Sequence, residues 1–344
     1  MPEAGSHARV TIVVTTRDRF TLARESLVSL LENTPAPFNL IYVLPADAPR
    51  GERRWLSDMA RQHNFVVVEA SRPTTPAEAR NLGLAQASTE YVAFAENDVV
   101  FEKGWLAALV ACADETGAEV VAPLTCEGRP VHTLVHHVGA PVEADGTFPT
   151  TARGERDFSE EFHLQGARRE QLADRLTRRR TQWPEMHCFL TRRALFDRIG
   201  GFDPDVVSKE YLDFAWSVRA GGGEIWFEPN AVVTFLVPSA ADPVTLKDLS
   251  YFLLRWSPAW QAASHDKLQT KWALTETGFI AARRAISDWR ILHHVVKPCL
   301  QQVPFFGRRW GFVERGAKIV APAFMLASSL LAWRYEQARR LSEA

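Results

Sequence analysis

Three oxygen-bearing side chains stand in a row at Glu96, Asn97 and Asp98. They directly follow an apolar run, residues 91–95, whose aromatic and β-branched content is typical of a buried strand. An acidic cluster at the carboxyl end of a central strand lies where open α/β sheets bind ligands. Carboxylate oxygens suit Mg²⁺ or Mn²⁺, and such an ion would bridge to phosphates. A plain polar turn, in which Asn97 or Asp98 caps the following helix, explains the triplet equally well.

Other residues that could do chemistry form weaker patterns. His132, His136 and His137 lie close together, but no cysteine or acidic residue stands at metal-ligand spacing from them. We therefore interpret them as ordinary strand and loop residues. The four cysteines are scattered and form no CxxC pair, which indicates neither a zinc site nor a disulfide framework and favours a reducing, cytosolic setting. The chain also lacks GxGxxG after its first strand and GxxxxGK[ST] anywhere, which argues against dinucleotide-binding and P-loop proteins.

The composition is that of a globular protein. The 344 residues can bury one large core or two smaller ones, and 46% of them are hydrophobic and 24% charged. A net charge of −1 gives no electrostatic reason to expect nucleic acid as a partner. Residues 1–9 lack the apolar centre of a signal peptide.

No apolar window has the length of a transmembrane helix. The closest, residues 319–333, contains Pro322 and is flanked by Arg315, Lys318 and Arg334. We interpret this segment as a packed terminal helix, and a helix lying on a membrane surface is the alternative. The expected location is cytoplasmic, with peripheral contact at the inner face of the membrane through the C-terminal region as the alternative.

The first part of the chain alternates short buried strands with helices. Because the connections are short, this alternation predicts a mostly parallel, doubly wound sheet with helices on both faces. The predicted strands are residues 10–15, 39–44, 65–69, 91–95 and 119–123, and the predicted helices are residues 21–31, 52–63, 76–87 and 105–116.

The pattern changes near residue 238. Before it, residues 192–199 and 210–219 predict helices, and residues 224–227 and 231–237 predict strands. Beyond it, the composition becomes helical and rich in tryptophan, with no further strand–helix alternation. We therefore expect a first domain at 1–238 and a helical C-terminal extension at 239–344, whose tryptophans are typical of a packed core.

With these segments placed, residues 9–238 resemble the family 2 glycosyltransferases. Four pieces carry the resemblance and occur in the family's order. They are the opening strand Val10-Thr-Ile-Val-Val-Thr-Thr-Arg17, the helix Ala77-Glu-Ala-Arg-Asn-Leu-Gly83, the acidic turn Phe94-Ala-Glu-Asn-Asp98 with Gly104-Trp105, and the block Ile199-Gly-Gly-Phe-Asp203 with Glu210-Tyr-Leu-Asp213 and Arg219.

The resemblance implies the GT-A fold, a Rossmann-like α/β sheet, and a helical extension that shapes the acceptor site or mediates assembly into a homo-oligomer. It implies a nucleotide-diphosphate sugar as donor, with a UDP-sugar favoured over GDP- or dTDP-sugars, and Mn²⁺ or Mg²⁺ on its diphosphate. In inverting hexosyl transfer, a carboxylate deprotonates the acceptor hydroxyl, which attacks the anomeric carbon. The acceptor would be a saccharide, a lipid-linked intermediate or another small molecule.

Positions that match the family's motifs give the expected site residues. Asp98 falls on the last aspartate of the DxD motif and Glu96 on the first, so both are expected metal ligands. Arg80 matches an arginine that approaches the donor diphosphate. The other expected donor contacts are Thr15, Thr16, Arg17, Asp47 and Asn97.

The catalytic base is expected at the start of the predicted helix 210–219. The family's Glu-Asp pair is Glu210-Tyr211 here, so Glu210 is the first candidate and Asp213 the second. An acidic first turn that suits the helix dipole explains both residues too. Phe235 is a further departure, because it stands where the family often has a metal-binding histidine.

Two other functions compete with this interpretation. The Tyr211 and Phe235 departures favour a catalytically silent GT-A domain that binds nucleotide sugars or serves as a scaffold. A nucleotidyltransferase would share the sheet type but needs a glycine-rich phosphate loop after the first strand, and Thr15-Thr16-Arg17-Asp18 contains no glycine.

Overall fold

The computed structural model describes residues 8–35, 37–139, 164–238, 243–274, 287–301 and 310–343. The strands are β1 Val10–Thr15, β2 Asn39–Leu44, β3 Val66–Glu69, β4 Tyr91–Glu96, β5 Val99–Phe101, β6 Val120–Glu127, β7 Leu134–His137, β8 Arg179–Arg180, β9 Cys188–Arg192 and β10 Ile225–Phe235. The helices are α1 Ala23–Asn33, α2 Arg50–His63, α3 Pro76–Gln86, α4 Trp105–Thr116, α5 Leu195–Ile199, α6 Glu210–Ala220, α7 Leu249–Arg255, α8 Pro258–Trp272, α9 at 287–301 and α10 Trp310–Glu343.

All these strands join one mixed sheet. Its order is β3-β2-β1-β4-β9-β6-β10-β5, with β7 beside β6 and β8 beside β10. The four strands from β3 to β4 are parallel, as the sequence predicts. Beyond them β9 runs antiparallel to both of its neighbours, so the sheet is mixed rather than mostly parallel. The sequence does not predict the direction of β9, because contacts with strands distant in the chain set it.

Helices cover both faces of the sheet. Ile12 and Val14 of β1 pack in a core with α1, α2 and α4, whereas Val13 packs in a second core with α3, α5 and α6. Successive side chains of a strand point to opposite faces, so a strand covered on both sides is apolar at every position. The predicted α/β architecture with two covered faces is therefore confirmed.

Most predicted elements are confirmed to within a few residues. The strands 10–15 and 39–44 and the helix 105–116 have the predicted bounds. The two strands predicted at 224–227 and 231–237 form one strand, β10, with a shift in register between Glu228 and Val232. Pro229 lies in this shift, where its missing N–H costs no ladder hydrogen bond.

The last described helix is longer than the sequence predicts. Pro322 lies inside α10 without ending it, and the polar residues on both sides of 319–333 are helical too. Gly311–Leu341 is consequently long and apolar enough, by length and composition only, to cross a membrane. The prediction that no window reaches this length is wrong.

The helical extension, α7 to α10, packs against the loop after β1. The predicted boundary at residue 238 adjoins 239–242, which lie outside the described residues. Farther on, the Asp248 carboxylate, fully buried, accepts hydrogen bonds from Phe20 N at 2.7 Å and from Thr21 N at 3.1 Å. The Tyr251 hydroxyl donates to the Thr16 carbonyl oxygen at 3.4 Å. The extension therefore fixes the path of the loop that follows β1.

We expect Asp248→Ala to lower the free energy of unfolding by about 3 kcal/mol, because buried donors of the β1 loop lose their acceptor. Chemical denaturation followed by circular dichroism measures the loss. Asp248→Asn is the matched control, since it keeps one acceptor oxygen, and should lose less. Small and equal losses in both variants would mean that this carboxylate does not hold the loop.

Candidate active site

The expected donor residues meet at the carboxyl ends of β1 and β4. The two strands are parallel neighbours in which Thr15 pairs with Glu96, so their following loops lie side by side. Asn97 joins these loops. Its amide nitrogen Nδ2 donates to the Arg19 carbonyl oxygen at 2.7 Å, and its Oδ1 accepts from Arg17 N at 3.1 Å. Both polar atoms of the Asn97 side chain are thus engaged within the protein.

Glu96 is buried among cationic and imidazole groups. Arg80 Nη2 donates to Glu96 Oε1 at 3.0 Å, and Arg17 Nε lies 3.4 Å from Oε2. His187 Nδ1 lies 2.7 Å from the same Oε2. Burial raises the pKa of Glu96, although the Arg17 and Arg80 guanidiniums oppose this effect. The carboxylate is only 3% exposed, so these neighbours replace water as its partners.

Asp98 lacks such partners. The residue is 1% exposed, and neither of its carboxylate oxygens accepts a hydrogen bond. Arg17 Nη1 lies 3.7 Å from Oδ2, within ion-pair distance but without hydrogen bonding. Burial raises the pKa of Asp98 to about 6, against the opposing effect of Arg17 and His187. A buried carboxylate without donors is costly, so this position is suited to binding a cationic group.

His187, which immediately precedes β9, faces the same carboxylates. Its ring stacks on Phe235 with centroids 4.0 Å apart and planes 9° apart. Burial and the nearby Arg17 lower the pKa of His187 to about 3, so its imidazole is neutral at pH 7. Neither ring nitrogen makes a hydrogen bond, despite the short approach of Nδ1 to Glu96.

These residues fit a divalent cation. Glu96, Asp98 and His187 each offer one ligand atom, and the three atoms lie within 4.8 Å of one another. Carboxylate oxygens with one imidazole nitrogen suit Mn²⁺ and are compatible with Mg²⁺. The carboxylate of Asp98 and one ring nitrogen of His187, which are buried and make no hydrogen bond, are the groups that such an ion would satisfy. Sequence reasoning missed His187, and its only signal is its place at the start of an apolar run.

A cleft with a cavity volume of about 510 Å³ opens above Glu96. Both parts of the chain line it. Its principal polar and aromatic lining residues are Arg17, Glu96, Glu185, His187, Lys209, Glu210, Tyr211, Arg255, Trp256, Trp289 and Arg290. Sequence reasoning did not assign the extension's residues to the site, because their approach depends on helix packing.

Several arginine side chains line the cleft, and some of their N–H groups make no hydrogen bond within the protein. Arg17 Nη1 and the Nε and Nη1 groups of Arg255 are buried and make no hydrogen bond. Arg290 stands over Trp256, with its guanidinium carbon 4.5 Å from the ring centroid. Burial and the neighbouring Arg17 lower the pKa of Arg290 to about 10, which leaves it charged at pH 7. The cleft therefore offers free donors to an anion.

The two candidate bases differ in their surroundings. Glu210, the first residue of α6, lines the cleft, and its Oε1 accepts from Arg255 Nη2 at 3.1 Å. Asp213 does not line the cleft. Its carboxylate accepts from Trp272 Nε1 at 2.7 Å and from Lys271 Nζ at 2.9 Å, which ties α6 to α8. Of the two, the structure brings only Glu210 to the cleft.

The remaining expected contacts lie beside the cleft rather than in its wall. Thr15 and Thr16 are buried, and the Thr16 hydroxyl makes no hydrogen bond. Asp47 Oδ1 is also buried without a hydrogen-bond partner, and burial raises the pKa of Asp47. Thr15 ends β1, and Thr16 and Asp47 follow the carboxyl ends of β1 and β2, which is the edge at which open α/β sheets bind ligands.

The three histidines noted in the sequence are dispersed by the fold. His132 Nδ1 lies 2.8 Å from Thr234 Oγ1, and His137 is buried. His136 lines the cleft, with Nδ1 2.9 Å from Glu127 Oε2 and Nε2 3.7 Å from Glu185 Oε1. The three therefore do not share one site.

We expect Arg80→Met to lower the free energy of unfolding by about 3 kcal/mol, because Glu96 then loses a buried cationic partner. Adding Glu96→Gln should recover part of this loss, since a neutral amide needs less compensation. Denaturation of the two single variants and the double variant gives the coupling free energy. Strictly additive losses would contradict a direct Arg80–Glu96 interaction.

With this geometry established, comparisons with known proteins give the family. The model of glycosyl transferase family 2 matches residues 11–200. Two curated relatives, the pre-mycofactocin glycosyltransferases of Mycobacterium tuberculosis strains CDC 1551 / Oshkosh and ATCC 25618 / H37Rv, are each 25% identical over 233 residues. The alignment covers 67% of this chain and 43% of each relative, so this chain spans less than half of their length.

One solved structure, with a TM-score of 0.50, shows a related fold. GalNAc-T7, crystallised with UDP, GalNAc and Mn²⁺, matches with a TM-score of 0.50 and 14% identity, over 86% of this chain and 58% of that chain. S. aureus TarS 1–349 in complex with UDP gives a TM-score of 0.47 and 16% identity, over 96% of this chain and 92% of that chain. The expected GT-A architecture is confirmed. Since the family model matches more than half of its residues, the chain belongs to the family 2 glycosyltransferases.

Proposed function

We propose that the chain transfers a sugar from a nucleoside-diphosphate sugar to an acceptor hydroxyl, with inversion at the anomeric carbon and with a divalent cation. One observation carries the proposal. Behind the cleft wall, Asp98 has two oxygens without hydrogen bonds, one of which lies within 4.8 Å of ligand atoms of the cleft-lining Glu96 and His187, and Arg17 and Arg255 have buried N–H groups without acceptors. A diphosphate together with its cation would satisfy both sets at once.

Glu210 is the group that we assign as the proton acceptor. In the reaction, the acceptor oxygen forms a bond to the anomeric carbon while the bond from that carbon to the diphosphate oxygen breaks. The acceptor proton passes to the Glu210 carboxylate, and the electron pair leaves with the nucleoside diphosphate. Arg255 Nη2 at 3.1 Å and Arg80 Nη1 at 3.9 Å fix the position of Glu210 at the cleft.

The charge that develops on the leaving diphosphate is the main electrostatic demand of this reaction. Arg17 and Arg255 line the cleft and have free N–H groups that can donate to phosphate oxygens. Asp98, Glu96 and His187 would hold the cation, and the positive charge it supplies would neutralise part of the same developing charge. Because the cleft floor is buried, these interactions are stronger there than in water.

The donor and the cation to test first are a UDP-sugar and Mn²⁺, the nucleotide and ion bound by GalNAc-T7. The cleft contains Trp256 and Trp289, whose rings could pack on a sugar face, so a saccharide acceptor is favoured. Pre-mycofactocin, which appears in the name of the curated relatives, is an acceptor to include in the same screen.

A catalytically silent domain is the second candidate. It is favoured by Asp213, whose carboxylate is engaged by Lys271 and Trp272, and by Tyr211 in place of the usual aspartate. Such a protein would bind the nucleotide sugar without turning it over.

We expect Glu210→Gln to lower turnover about 10²- to 10⁴-fold, the usual contribution of a positioned general base. UDP release from a panel of UDP-sugars, with acceptors and with water alone, measures turnover. Asp213→Asn is the matched control on the same helix and should retain most activity. Calorimetric UDP affinity should change little in either variant.

Two results would oppose this assignment. Equal turnover in the wild type and in Glu210→Gln would remove Glu210 as the base. UDP binding by a folded wild type that turns over no donor or acceptor of the panel would favour the silent domain.

We expect His187→Phe to weaken Mn²⁺ binding about tenfold or more, because one of the proposed ligands is lost. Combining His187→Phe with Phe235→His should restore binding. The two rings stack 4.0 Å apart, so we expect a histidine at position 235 to lie near the same carboxylates as His187 does. Electron paramagnetic resonance of free Mn²⁺ during titration gives the affinity without any assay of activity.

His132→Phe is the control for this exchange, because His132 contacts Thr234 rather than the carboxylates. Unchanged Mn²⁺ affinity in His187→Phe would show that the imidazole does not bind the ion. A folded double variant that stays as weak as His187→Phe would show that Phe235 does not occupy an equivalent position.

A further inference from the structure

We infer that α10 lies in the plane of an anionic membrane surface and attaches the protein to it. The helix carries a stripe of exposed apolar side chains, in which Ile319 is 79%, Leu326 is 63% and Trp333 is 60% exposed. Phe312 and Leu330 belong to the same stripe, at 46% and 54% exposed. Four of the five follow one another at intervals of seven residues, which is nearly two helical turns, so they share one face.

The opposite face of α10 is held by the rest of the protein. Ser328 Oγ donates to the Leu253 carbonyl oxygen at 2.7 Å, and the Tyr335 hydroxyl donates to Glu78 Oε2 at 2.8 Å. The Tyr335 ring also packs on Trp260, with centroids 4.6 Å apart. Lipid cannot surround a helix that is bonded to protein along one side, so contact with lipid is limited to the exposed stripe.

The length of the uncharged part also favours a helix lying in the plane. Residues 319–333 contain no charged side chain. At 1.5 Å per residue they extend over about 22 Å, which is shorter than the hydrocarbon core of about 30 Å. The longer helix could therefore span the core only by bringing Lys318 or Arg334 into it, a cost that a position in the plane of the surface avoids.

The charges on this face select the lipid. The exposed charged side chains of α10, among those that the structure describes, are the cations Arg315, Lys318, Arg334 and Arg340. Glu314, which is partly exposed, is paired with Lys297 at 2.5 Å. Cations at both ends of an apolar stripe match an anionic headgroup layer, and Trp333 is a residue type enriched at that depth.

The same charges disfavour a second copy of this chain as the occupant. If two α10 stripes paired in parallel, Arg315 and Lys318 would face their own copies. If they paired antiparallel, these two would face Arg334 and Arg340. Cations would meet cations in both arrangements, so self-association through this face is electrostatically penalised.

Membrane attachment goes beyond the proposed chemistry, because it concerns where the cleft works. The extension that includes α10 also supplies Arg255, Trp256, Trp289 and Arg290 to the cleft wall. Holding the extension at a lipid surface therefore keeps this side of the cleft near the membrane, where a lipid-linked acceptor would be available.

Co-sedimentation of the full chain with vesicles tests this inference. The vesicles are phosphatidylcholine alone, and phosphatidylcholine mixed equally with phosphatidylglycerol. We expect binding to the anionic vesicles that weakens at high salt, and roughly tenfold weaker partitioning for the double variant Leu326→Ser/Leu330→Ser. Leu246→Ser is the matched control, since Leu246 is 88% exposed but lies outside α10.

Four results would each overturn the inference. The first two are a wild type that stays in the supernatant with anionic vesicles, and a double variant that sediments as well as the wild type. Vesicle-bound protein could resist alkaline carbonate and require detergent, which would show a spanning helix. Light scattering could instead reveal a dimer that Leu326→Ser/Leu330→Ser dissociates and that does not bind vesicles. UDP binding by the same preparations separates these failures from a failure of the proposed function.

Discussion

The burial of two carboxylates at one edge of the sheet is the constraint on which the structure around the cleft depends. Glu96 and Asp98 are 3% and 1% exposed, and buried charges destabilise a protein unless other groups compensate them. The compensating groups come from separate elements. Arg17 follows β1, Arg80 stands on α3 and His187 precedes β9. The strand order β1-β4-β9 brings all of them to one place, and Asp98 is still left without a hydrogen bond.

The helical extension completes this arrangement rather than standing apart from it. Arg255 donates to Glu210 at 3.1 Å, and Trp256 Nε1 donates to Asp18 Oδ2 at 3.2 Å. The same helices bring free guanidinium donors to the cleft and hold the loop after β1. A loss of packing in the extension would therefore affect both the proposed base and the proposed phosphate contacts. The exposed stripe of α10 belongs to this same extension, so attachment and catalysis would depend on one set of helices.

The parts of the fold that depend on local pattern could be predicted from the sequence. The strand–helix alternation up to α4 is such a pattern, and the acidic turn after β4 follows from it. Interactions between distant segments could not be predicted. His187 is separated from Glu96 by most of the middle of the chain, and its role depends on β9 pairing antiparallel with β4. Glu210 and Asp213 stand in the same helical turn, and only the position of α8 shows that Asp213 is bonded to Lys271 and Trp272. In the sequence, Pro322 favours a short last helix, because proline usually ends or kinks a helix. Only the structure shows that α10 continues through it.

The central claim is that this buried cluster binds a nucleoside diphosphate together with a divalent cation. Calorimetric titration of UDP, with and without Mn²⁺, into the wild type and Asp98→Asn tests it most directly. The expected result is that Mn²⁺ tightens UDP binding to the wild type and has little effect on Asp98→Asn, whose fold circular dichroism verifies. The claim would be contradicted by a folded wild type that binds no UDP under either condition, or by an equal effect of Mn²⁺ on both proteins.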